Sequence, residues 1–113
     1  MNAADAMLRL EDLCPPDEEP TLSSQQMTRL LEFAAVEDEE GRDPTDPDWV
    51  PTYDQVGVYR AAREGWIRKK ARAAARFDFT TDGQMFKRSQ LADHCDEMIR
   101  RMNVKLSSSQ QVR

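Results

Sequence analysis

Residues 37–52 read Glu-Asp-Glu-Glu-Gly-Arg-Asp-Pro-Thr-Asp-Pro-Asp-Trp-Val-Pro-Thr, and no regular element can be built on them. Three prolines each remove a backbone donor, a glycine loosens the chain, and seven carboxylates repel one another. A stretch this long without secondary structure, inside a compact domain, is usually functional or partner-bound. It divides the chain into two helical parts that must supply one core between them. Its apolar exceptions are Trp49 and Val50. Trp49 is read as an anchor tucked against the helices, with an exposed platform for a ligand as the alternative.

On the N-terminal side, Met7, Leu8, Leu10 and Leu13 predict a short helix over Ala3 to Leu13. Cys14-Pro15-Pro16 ends it, because proline cannot continue a helix and restricts the residue before it. Asp17-Glu18-Glu19-Pro20 reads as a solvated acidic turn. Ser23 then stands three residues before Gln26, the spacing of a reciprocal capping box, with Leu22 and Met27 placed as a hydrophobic staple. The helix so started is expected to reach about Val36, with Met27, Leu30, Leu31 and Ala34 on one face.

On the C-terminal side, Pro51-Thr52-Tyr53-Asp54-Gln55 opens the longest helix, to about Phe77. Thr52 and Gln55 have capping-box spacing, and Asp54 is a competing cap. At about 100° per residue, Tyr59, Ala62, Trp66, Ala73 and Phe77 share a side, while Arg68, Arg72 and Arg76 form a row opposite. Arg63 and Lys70 fall inside the apolar arc. They either bury their stems and reach out or meet acids across an interface. Phe77-Asp78-Phe79 alternates and Asp82-Gly83 marks a turn, so a short strand or extended bend is expected near 77–84. A final helix is expected from Phe86 to Asn103, with Leu91, Cys95, Met98 and Met102 as its stripe. Residues 104–113 read as a flexible tail.

The expected fold class is all-α. It is a small bundle of three to four helices in a single domain over 1–103, with a short extended or β segment near 77–84, a long acidic loop over 37–53 and flexible termini. Its core anchors are Trp49, Tyr59, Trp66, Phe77 and Leu91.

The chain has 113 residues and buries only a modest core, so it is either a marginal monomer or a protomer completed by neighbours. Its net charge of −5 hides a polarity. Residues 1–55 hold 15 acids and 3 bases, or −12; residues 56–113 hold 6 acids and 13 bases, or +7. Three explanations stand: a basic surface for nucleic acid, head-to-tail pairing between copies, or two halves folded against each other. The bases between Arg60 and Arg76, accompanied only by Glu64, make a small nucleic-acid-binding protein using helix 60–76 the alternative function. Against it stand the adjacent acidic half and the lack of a recognition module.

Catalytic chemistry finds no footing. His94 is the one histidine, and only Cys14 and Cys95 could join it, short of a zinc set. Asp43, Asp46 and Asp48 lack the glycine and closing glutamate of a calcium loop. No nucleophile triad or phosphate-cradling glycine loop is present, so neither enzyme activity nor a cofactor is expected. The cysteines read as reduced thiols. Residues 1–13 lack the basic start and apolar run of a secretory signal, and no segment suits a membrane, so a soluble cytoplasmic product is expected.

The segments Asp46-Pro47-Asp48-Trp49-Val50-Pro51-Thr52-Tyr53-Asp54, Ala61-Ala62-Arg63-Glu64-Gly65-Trp66-Ile67-Arg68-Lys69-Lys70-Ala71, Phe77-Asp78-Phe79 with Asp82-Gly83, and Lys87-Arg88-Ser89-Gln90-Leu91 follow in order. With Pro20-Thr21-Leu22-Ser23 ahead of them, this series resembles the head–tail connector (adaptor) proteins of long-tailed bacteriophages, over about residues 20–102. The resemblance implies a structural virion protein at the head–tail junction, assembled in the host cytoplasm. It implies a ring, commonly a dodecamer, that joins the portal protein to a stopper or tail-completion protein. Genomic DNA would pass through its channel without sequence specificity. Subunit, portal or channel contacts would then fall to Arg63, Arg68, Lys70, Arg72, Arg76, Phe79 and Asp82. The acidic loop and the basic row depart from the family's pattern and leave open which face meets DNA.

Overall fold

The computed structural model describes the backbone of residues 1–76 and 82–111, and side-chain surroundings for 1–73 and 90–108. The described residues form four α-helices: α1 (Ala3–Leu13), α2 (Ser24–Leu31), α3 (Gln55–Arg76) and α4 (Asp82–Gln111). The all-α bundle is the fold observed. The described residues contain no strand, only an isolated antiparallel bridge between Ala35 and Tyr53. Residues 77–81 of the expected extended segment lie outside the described residues, while 82–84 already belong to α4.

Local chemistry explains the helix starts. Asn2 caps α1 by accepting from Asp5 N, 2.8 Å. Ser23 and Gln26 form the reciprocal box at α2: Gln26 N donates to Ser23 Oγ at 3.1 Å and Ser23 N to Gln26 Oε1 at 2.8 Å. Such a cap contributes about 1 kcal/mol. At α3 the competing cap wins. Asp54 Oδ1 accepts from Gly57 N at 2.6 Å, while the Thr52 hydroxyl turns to the Val50 carbonyl.

α4 begins at Asp82, where a turn was expected, rather than at Phe86, and the helix C-termini depart from expectation in two places. α2 stops at Leu31 and tightens into a 3₁₀ turn over Glu32–Ala34, short of the expected Val36. The cause is α3: a Cβ at Gly57 would stand 2.5 Å from Ala34 Cα, and Asp54 N donates to Ala34 O. Backbone meets backbone there, so the chain must leave the helix to let α3 in. α4 instead runs past Asn103, so residues 104–111 are helix rather than part of a tail. Leu106 is buried, which gives the added turn an apolar anchor. Asn103 accepts from Arg63 instead of ending the helix.

The core gathers Ala6, Leu10 and Cys14 from α1 and its end, Met27, Leu30 and Leu31 from α2, Val58, Ala61, Ala62 and Trp66 from α3, and Cys95 and Met102 from α4. α3 packs against every other helix, whereas α4 packs mainly on α3. The partners approach α3 from different sides. Gly57, Gly65 and Lys69 meet the N-terminal half, while Tyr59, Arg63 and Lys70 meet α4. At about 100° per residue these sets occupy well-separated arcs of one helix. Gly65 is required for its own approach, since a Cβ there would lie 2.8 Å from Cys14 Sγ.

Candidate functional site

The acidic loop is ordered around one carboxylate. Asp38 is 7% exposed, and its oxygens accept from Glu40 N (2.9 Å), Arg42 N (3.0 Å), Arg42 Nε (2.9 Å) and Val50 N (3.0 Å). Burial alone would raise its pKa. The hydrogen bonds from Val50, Arg42 and Glu40 outweigh burial and hold the pKa down to about 2. Trp49 closes the same loop. Its Nε1 donates to Val36 O at 2.9 Å, and its ring meets Tyr53 edge-on at 5.9 Å. It is half-buried and lies outside the core cluster, so it anchors the loop rather than the bundle. The loop is tied to the chain's start as well, with Met1 N donating to Tyr53 O and Tyr53 N to Met1 O. An open cleft of about 450 Å³ lies between Met1, Asp38, Glu39 and Val50.

With Asp38 turned inward and Asp46 half-buried, the other loop acids face out. Glu37, Glu39, Glu40, Asp43 and Asp48 are all exposed. Among the described residues, the carboxylates of Glu37, Glu39, Glu40 and Asp48 have no hydrogen-bond or ion-pair partner. Val50, 56% exposed, lies at the edge of this acidic surface.

The second surface lies where α3 meets the C-terminal half of α4. Arg60, Arg63, Asn103 and Ser107 line a groove of about 250 Å³. Arg63 Nη1 is bonded to Asn103 Oδ1 at 3.0 Å; Arg60 is exposed and has no partner among the described residues. Further around α4, Arg100 and Arg101 share Glu97, and the Lys105 ammonium sits 5.4 Å above the Tyr59 ring. The groove thus carries two cations, and the neighbouring face of α4 carries three beside one acid. Val104, 65% exposed, stands among them.

A third constellation closes the bundle. Trp66, 1% exposed, donates from Nε1 to Leu13 O at 2.9 Å. Lys69 is fully buried. Its ammonium donates to Pro15 O and, at 2.9 Å, to Glu18 O, and lies 4.6 Å from the Trp66 ring centroid. Burial lowers its pKa, while the nearby thiols and acids act the other way. His94 stands at the rim, edge-on to Trp66 at 5.2 Å and 3.1 Å from Glu18 Oε1. These contacts clasp residues 13–18 onto α3 and α4. Cys14 and Cys95 are free thiols buried beneath the clasp, and burial pushes Cys14 up to about 11. Protonated, buried thiols are poor nucleophiles.

Of the expected core anchors, Trp66 is central and Tyr59 is partly buried against the core. Leu91 is half-buried and is not among the described core residues. Phe77 lies outside the described residues, as does Phe79; the side chains of Arg76 and Asp82 do too. The remaining interface candidates are engaged within the chain. Lys70 pairs with Asp96 at 2.6 Å, Arg68 approaches Glu64 at 3.6 Å, and Arg72 donates to Thr21 O at 3.2 Å. Sequence reasoning missed Asp38 and Lys69 as buried charges. It also missed the groove, although the Arg60, Arg63 and Arg100, Arg101, Lys105 clusters were visible.

Among the described residues, no group of three His, Cys, Asp or Glu side chains could hold a metal ion. No helix there is long and apolar enough to cross a membrane. Comparison with family models, with curated proteins and with solved structures produces no match to this chain.

Proposed function

We propose that this protein is a structural subunit that works as a closed ring of identical copies. Its place is the head–tail junction of a tailed phage, between a portal protein and a stopper or tail-completion protein. One observation carries the ring: the chain holds two exposed surfaces of opposite charge, and among the described residues four loop carboxylates on one and Arg60 on the other have no partner. A ring needs heterologous interfaces, in which every subunit presents two different complementary faces. The head–tail address draws on the sequence resemblance over about residues 20–102. Absence of a reactive constellation in the sequence fits a non-enzymatic role without a cofactor. Genomic DNA passing the channel would meet phosphate contacts that are few and independent of sequence, since many would slow its passage.

Imaging the chain mixed with a portal ring tests this reading. The expected result is a second ring stacked coaxially on the portal; no added density on the portal overturns it. The alternative, nucleic-acid binding through helix 60–76, draws less support. Lys69 is buried, and Arg63, Arg68, Lys70 and Arg72 already have partners within the chain. Salt-sensitive duplex binding by the isolated monomer would revive it.

A further inference from the structure

We infer that the groove between α3 and α4 receives the acidic loop of a second copy of this chain, so that loop-into-groove is the repeating contact. This rests on the ring reading above and names the two surfaces that would form its interface. Three observations carry it. The first is charge complementarity: Glu37, Glu39, Glu40 and Asp48 are exposed and their carboxylates have no partner among the described residues, while the groove carries Arg60 and Arg63 and the neighbouring face of α4 adds Arg100, Arg101 and Lys105 beside Glu97. The second is that none of these acids pairs with any of these bases within the chain, among the described residues. The loop packs beside the Ala34 side of α3, and the groove opens where α3 meets α4. The third is apolar. Each charged surface carries one exposed branched residue, Val50 in the loop and Val104 beside the groove, 56% and 65% exposed. A contact that buries these two while pairing the surrounding charges has the apolar centre and polar rim of a protein interface.

The loop is fit to dock without a large ordering cost. The four hydrogen bonds on Asp38 and the Trp49 bond to Val36 hold its backbone in place before any partner arrives. The receiving surface is a helix pair joined by the Lys70–Asp96 and Arg63–Asn103 contacts, equally preformed.

A charge swap tests the contact on the full chain. One variant carries Glu37→Lys, Glu39→Lys and Glu40→Lys; the other carries Arg60→Glu, Arg100→Glu and Lys105→Glu. All six side chains are exposed, and helical content with melting temperature verifies that both variants fold. Sedimentation velocity at low salt and high protein concentration should show the native chain self-associating. Each variant alone should be monomeric, and an equimolar mixture should recover association, because each reversed surface meets its reversed counterpart. Raising the salt should dissolve the native assemblies, since exposed charges are screened. A native chain that stays monomeric overturns the inference, and so do variants that associate alone as well as the native chain. DNA bound by the native monomer and lost in the groove variant overturns it too, in favour of a phosphate site. If the contact fails this way while the native chain still forms a ring on a portal, the functional reading stands and only the interface is wrong.

Discussion

Two regions of this molecule are organised by a single buried charge, and they use it in opposite ways. In the acidic loop, Asp38 collects backbone amides and the Arg42 guanidinium, and so orders a segment with almost no apolar side chains of its own. In the middle of α3, Lys69 donates to the carbonyls of Pro15 and Glu18 and fastens a foreign segment to an already apolar face. Beyond its charge, the loop is held mainly by the Trp49 bond to Val36. The α3 site would still have Trp66, Gly65 and Leu30. A buried charge is tolerated in both because the backbone satisfies it. What differs is how much else holds the surrounding chain.

That difference can be broken experimentally. The largest effect should come from Trp66→Ala, which removes the centre of the apolar face and the donor to Leu13 O, at about 3–5 kcal/mol; equilibrium urea unfolding measures it. Lys69→Met keeps the packed stem but leaves two carbonyls without a donor, and should cost about 1–3 kcal/mol by the same assay. A loss as large as that of Trp66→Ala would mean that the cation, not the apolar face, holds α3. Asp38→Ala should act locally instead. Limited proteolysis should cut within 39–50, while the melting temperature moves less than in Lys69→Met. Global unfolding in Asp38→Ala would erase the contrast between the regions.

The smallest effect is a pH dependence. The Asp38 pKa is lowered from 3.8 to about 2 on folding, so its contribution to stability is complete above about pH 4 and is lost as pH falls through about 2. Protease sensitivity of the loop should rise over that window in the native chain. A loop that is equally protected at pH 2 and pH 6 would show that Trp49 holds it unaided.

Helix existence and the starts of α2 and α3 were legible because they depend on residues three or four positions apart; α4 begins at Asp82 rather than at the expected Phe86. Ser23 reaches Gln26, Asp54 reaches Gly57, and both pairs could be read along the chain. Trp66 was legible as a core residue because periodicity placed it at the centre of an apolar arc. Lys69 was not. In sequence it is one of a run of bases, and nothing local distinguishes a lysine whose acceptors lie 54 and 51 residues away. Asp38 was hidden for the same kind of reason, since one acid among seven turns inward only because Val50 and Arg42 fold back onto it. The candidate groove was half legible: its bases were countable, but their meeting required α3 and α4 to run antiparallel.

By itself, then, the sequence determined where α2 and α3 begin, where prolines and acids forbid helices, that the chain is polar in charge, and which tryptophan is central. Tertiary structure alone decided where α2 stops, because Ala34 must admit the backbone of Gly57. It alone decided that α4 continues past Asn103, because Leu106 has a core to reach. And it decided which charges are engaged inside the fold and which stay exposed. Caps are local hydrogen bonds, so a short window of sequence contains both members. Helix ends, buried ions and free surfaces are set by groups brought together only when distant segments pack.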